Sequence, residues 1–104
     1  MRKQKIEATI VARMWTNGIT GVNSFAKGEV AYKFVPHVRT ERALDIIDDM
    51  AEDPQCPLRS GEDMSVTLNW PDEHVSLSSD ALAAVRYLDG KGLELWPPDL
   101  ERLR

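Results

Sequence analysis

Five carboxylates, Glu41, Asp45, Asp48, Asp49 and Glu52, recur three or four positions apart within residues 40–53 of the chain. At about 100° per residue they share one side of a helix, while Ala43, Leu44, Ile46, Ile47, Met50 and Ala51 share the other. Two chemistries suit such a row. Hard cations such as magnesium take carboxylate oxygens, usually together with substrate phosphates, and a line of fixed negative charge also imitates a nucleic-acid backbone toward a basic protein. A calcium loop is excluded, because the acids lie on a helix and no glycine marks the required turn. The residues around the row offer no cavity for a metal and its substrate, so neither a metal nor a cofactor is expected.

The row is also internally strained. Like charges one turn apart cost roughly 0.2–0.5 kcal/mol per pair, and only Arg42 offsets them locally. A face kept for solubility ordinarily mixes signs. Docking on a basic partner surface would relieve the repulsion, so Glu41, Asp45, Asp48, Asp49 and Glu52 are the expected partner-binding residues. Trp15 joins them as the aromatic side chain expected to be exposed.

Other residue types give weaker patterns. His37 and His74 lack a second ligand at metal-binding spacing, and Gly18, Gly21 and Gly28 are followed by no Gly-Lys-Ser/Thr of a phosphate loop. Ser24, Ser60, Ser78 and Ser79 lack the context of a nucleophile elbow. Cys56 cannot form an internal disulfide, being the only cysteine, and the prolines beside it mark a rigid loop. The chain is therefore not expected to be an enzyme, although a site assembled from separated segments, for catalysis or ligand binding, is a third reading.

Charge is segregated along the 104 residues. Residues 1–40 hold seven Lys/Arg and two acids, residues 41–80 hold two and eleven, and the remainder balances, which leaves a net charge of -4. The basic third includes Arg13 and Lys33 with Trp15, Phe25 and Tyr32 nearby, so nucleic-acid binding by phosphate contacts and base stacking is the second reading. The overall acidity opposes it. Opposite segments could also cancel within one fold or join two copies, so a homo-oligomer stays open. Apolar runs are short and nothing resembles a signal peptide, from which a cytoplasmic protein away from membranes is expected.

The positioning elements follow from periodicity. Ile6, Ala8, Ile10, Ala12 and Met14 alternate with Glu7, Thr9, Val11, Arg13 and Trp15, the period of a half-buried strand. Asn17-Gly18 reads as a hairpin turn, and two further strands, through 19–26 and 30–35, complete a three-stranded meander over about 5–35. In it Tyr32 shares a core face with Val30 and Phe34. Thr40 caps the acidic helix, about 40–53, and Pro54 stops it. A strand at about 64–70 (Met64, Val66, Leu68, Trp70) and a helix at about 79–89, capped by Ser78 or Ser79 and closed by Gly90, come next. A short strand at about 93–96 and a C-terminal tail whose helical turn begins at Pro98 end the chain. The expected fold is a single α+β domain, 1–104: an antiparallel sheet of four to five strands with two helices packed on one face, a two-layer sandwich.

In size and charge the chain resembles the small acidic inhibitors and immunity-type factors that bacteria and their phages use. That resemblance implies a non-catalytic protein-protein interaction module, with the acidic helix acting as a nucleic-acid mimic toward a target protein.

Overall fold

The stripe Ile6, Ile10, Met14, four residues apart each time, is fully buried together with Val11, and it belongs to a helix rather than a strand. The computed structural model describes residues 2–60 and 74–104. In it the chain runs α1 (Lys3–Thr16), β1 (Phe25–Ala26), α2 (Lys27–Phe34), α3 (Thr40–Glu52), β2 (Leu58–Ser60), β3 (His74–Leu77), α4 (Ala81–Gly90) and α5 (Pro98–Glu101). The expected sheet of four to five strands with two helices is thus overturned: among the described residues there are five helices and one three-stranded antiparallel sheet.

The meander fails for a physical reason. Seven of the fourteen residues of α1 are buried, Glu7 among them, because α2, α3, α4 and β3 all pack on this helix. A helix covered on several sides keeps no broad polar face, so its buried positions fit a period of two as well as one of 3.6. Asn17-Gly18 does use the positive φ expected there, at 72° for Gly18, but to end a helix. Gly18 N–H donates to Trp15 O at 3.0 Å and Ile19 N–H to Met14 O at 2.9 Å. Those two bonds make a Schellman motif, and the side chains of Ile19 and Met14 are both buried in the core.

Residues 30–35, expected as a strand, lie mostly in α2. Val30, Ala31 and Phe34 face the core, while Tyr32, expected there with them, is 78% exposed. Of the expected strand 19–26 there remain β1 and a single parallel bridge from Thr20 to Leu77. The central strand is β3, flanked by β1 and β2, with Phe25 opposite Val75 and Leu58 opposite Leu77. The expected strand at 64–70 lies outside the described residues.

The two amphipathic helices fall where periodicity put them, with altered ends. At α3 the N-cap is Arg39 and Thr40 is already helical. At α4 it is Asp80, not Ser78 or Ser79, whose Oδ1 accepts from Leu82 N–H at 3.1 Å and Ala83 N–H at 3.3 Å. Gly90 stays inside α4. Gly92 (φ 69°) ends it with a second Schellman pair, Gly92 N–H to Asp89 O and Leu93 N–H to Leu88 O. That turn replaces the expected strand at 93–96. Pro98 opens α5 as its first residue, where its missing N–H costs nothing.

Candidate functional site

Helix α3 buries Ala43, Ile46, Ile47 and Met50 and turns its five carboxylates outward. The fold answers two of them with its own lysines. Lys27 Nζ of α2 lies 2.7 Å from Asp48 Oδ1, and Lys3 Nζ of α1 lies 3.1 Å from Asp49 Oδ2. The hydrogen bond and charge of Asp49 push the Lys3 ammonium pKa up. Both ion pairs are solvent-accessible, and Lys3 and Asp49 keep more than half of their side-chain surface, so each pair contributes little to stability and opens easily. Glu41, Asp45 and Glu52 are exposed and make no hydrogen bond or ion pair among the described residues.

Trp15 departs from expectation. It is half-buried and packs against the core, so its ring is committed to the fold. Trp96 is similarly held, its indole N–H donating to Leu93 O at 2.9 Å while the Arg104 guanidinium stacks 4.7 Å from its ring. The basic first third is largely engaged as well. Besides Lys3 and Lys27, Lys33 stands 5.0 Å over the Phe25 ring and 4.0 Å from Glu29, and the Arg13 guanidinium donates to Phe34 O.

Three groupings escape a reading of the sequence. Glu7, only 8% exposed, accepts from Lys91 Nζ at 3.1 Å. Beside it Cys56 and Tyr87 are buried, and Tyr87 borders an open groove of about 480 Å³ with Asp53, Arg86 and Lys91. Burial pushes the Cys56 thiol up from its ordinary value of 9.0. Burial, followed by the neighbouring Cys56, pushes the Tyr87 hydroxyl up. Both are therefore neutral at pH 7, and a neutral buried thiol is a poor nucleophile. The Tyr87 hydroxyl has no hydrogen-bond partner of acceptable geometry among the described residues.

The second grouping joins Ser24 Oγ to His74 Nδ1 at 2.9 Å. No carboxylate among the described residues bonds the other ring nitrogen, so the orienting third member of a catalytic triad is lacking there. A third feature is a groove of about 480 Å³ between α1 and the turn after α4, bordered by Lys5, Arg13 and Leu95. The only hint of the first grouping in the sequence is an acid at position 7 amid apolar neighbours; nothing local joins it to Lys91.

Among the described residues no group of three His, Cys, Asp or Glu side chains is placed to share one metal ion. The α3 acids spread along the helix instead of converging. No described helix is long and apolar enough to cross a membrane. No family model, curated protein or solved structure matches the chain.

Proposed function

We propose that this chain is a non-catalytic protein-binding module that docks the outer face of α3 on the basic surface of a target protein. The observation carrying this reading is the unanswered charge of Glu41, Asp45 and Glu52 on a helix whose two nearby lysines are already spent on Asp48 and Asp49. A basic partner surface would neutralise the remaining carboxylates and replace the weak Lys3 and Lys27 pairs with less solvated ones. The setting that suits such a module is that of a cytoplasmic inhibitor or immunity-type factor of bacterial or phage origin, whose acidic helix stands in for nucleic acid on its target. Nucleic-acid binding by the chain itself has less support. Lys27 and Lys33 are engaged within the fold, Arg13 gives one nitrogen to Phe34 O, and Tyr32 is a lone exposed ring of that basic third.

The test is capture from nuclease-treated host lysate with the tagged wild type and with Asp45→Lys/Glu52→Lys, followed by binding measurements on the purified captured protein. Neither residue has a partner among the described residues, so the variant is expected to fold normally. Loss of a basic protein partner in the variant is the expected result. Equal binding by the variant refutes the reading.

A further inference from the structure

The groove between α1 and the turn after α4 combines apolar walls with cationic side chains. Ala8, Ala12 and Leu93 line it, Lys5 and Arg13 stand on the α1 side, and Leu95, 88% exposed, stands on the opposite rim. Its volume, about 480 Å³, lies in the range of genuine binding clefts. Two further charged residues line it: Lys91, already paired with Glu7, and Glu94 on the turn side. Lys5 is exposed with no partner among the described residues. Arg13 gives one nitrogen to Phe34 O and makes no other hydrogen bond or ion pair among the described residues, which leaves its remaining N–H groups for a carboxylate.

We infer that the occupant of this groove is the acidic face of α3 from a second copy of the chain, so that copies associate head to tail. This deepens the docking reading of α3, and rests on it, by naming one basic surface that the helix fits.

Charge and spacing agree. Asp45 and Glu52 are seven positions apart on α3, a rise of about 10 Å, and Lys5 and Arg13 are eight apart on α1, a rise of about 12 Å. The contact would also cover Leu95, the most exposed large apolar side chain described. Geometry sets the mode of assembly. Lys3 reaches α3 while Lys5 lines the groove, and two positions on a helix differ by about 200°. The acidic face and the groove therefore lie on opposite sides of α1. A chain cannot dock its own α3 into its own groove, and the two surfaces cannot both enter one two-fold interface. The contact is heterologous, which produces an open series of oligomers or a ring instead of a closed dimer.

Sedimentation velocity of the full chain at low salt, over a wide concentration range, tests this. The expected result is an average sedimentation coefficient that rises with concentration past that of a dimer and returns to that of a monomer at high salt. Lys5→Glu and Asp45→Lys, each at an exposed residue without a partner among the described residues, should each weaken association by about tenfold. Their urea midpoints confirm that they are folded. An equimolar mixture should associate again, since the intact acidic face of Lys5→Glu fits the intact groove of Asp45→Lys. A monomer at every concentration overturns the inference, as does a Lys5→Glu protein that associates like wild type or a mixture no more associated than its components. Those outcomes leave the α3 docking reading untouched. That reading falls instead if Asp45→Lys/Glu52→Lys still binds the captured protein.

Discussion

Glu7 of α1 and Lys91, which closes α4, are 84 positions apart in sequence, yet the ammonium donates to Glu7 Oε1 at 3.1 Å with the carboxylate almost wholly buried. The lysine also lies 5.2 Å from the centre of the Tyr87 ring. This pair ties the first helix to the fourth. Removing one member of a buried pair leaves the other uncompensated. Because the Lys91 side chain keeps a quarter of its surface in water, the effect here should fall below that of a fully buried pair. Lys91→Met, which keeps most of the aliphatic stem, should cost about 1–3 kcal/mol in urea denaturation. Glu7→Gln should cost less, since the freed ammonium can turn toward solvent. In a double-mutant cycle the two losses should not add.

Tyr87 and Cys56 make stability fall at alkaline pH. The fold holds both groups in their protonated forms, with pKa values raised above the ordinary 9.0 of the thiol and 10.0 of the phenol. A group raised in the folded state contributes stability that is complete below its unfolded pKa and is lost as pH climbs toward the folded value. The urea midpoint should accordingly be insensitive to these two groups at neutral pH and should decline above about pH 9. Tyr87→Phe removes one of them together with a hydroxyl that has no hydrogen-bond partner among the described residues. It should be neutral or stabilising by up to about 1 kcal/mol at pH 7, and its alkaline decline should be shallower.

Asp80 is the only N-cap among the described helices whose side chain accepts from the helix backbone. Asp80→Ala should lower stability by about 1 kcal/mol, and Asp80→Ser should restore most of it. Thermal unfolding of the three proteins checks this. An unchanged melting temperature in the alanine variant would show that water serves the freed Leu82 and Ala83 amides equally well.

Asp45 has Glu41 one turn before it and Asp48 and Asp49 one turn after. Its charge opposes folding and, in the docking reading, favours binding. Asp45→Asn should raise stability by about 0.5 kcal/mol while weakening capture of the target. Opposite signs in the two measurements separate a face kept for a partner from one kept for solubility, where a gain in stability would come with no loss of binding.

Lys3→Ala should leave stability almost unchanged, because its bond to Asp49 spans an exposed pair. Urea denaturation at low and high salt checks the magnitude, and a large loss would mean that Lys3 positions α1 on α3.

Helices α3 and α4 were legible because each has one apolar side and one polar side, so that a period of 3.6 stands out over three or four turns. The outward position of Glu41, Asp45, Asp48, Asp49 and Glu52 follows from the same pattern, as does the start of α5 at Pro98. Helix ends were less secure. The need for a left-handed residue was visible at Gly18, but a hairpin tip and a Schellman cap both satisfy it, and at α4 the glycine used is Gly92, not the nearer Gly90.

By itself, then, the sequence determined the local and one-sided features: two amphipathic helices, the acidic row and the separation of charge along the chain. Tertiary structure decided whatever depended on several neighbours at once. Residues 3–16 became a helix because partners on several sides bury Ile6, Glu7, Ile10, Val11 and Met14 together, and with Ala8 and Ala12 buried as well the set Ile6, Ala8, Ile10, Ala12 and Met14 reads as alternation. Trp15 on the same helix is left half-buried against the core, and Tyr32 reaches solvent because α2 is a helix whose core side is Val30, Ala31 and Phe34. The partners of Asp48, Asp49 and Glu7 are lysines from other helices. Pairings of that kind depend on how helices pack, and short-range periodicity carries no record of them.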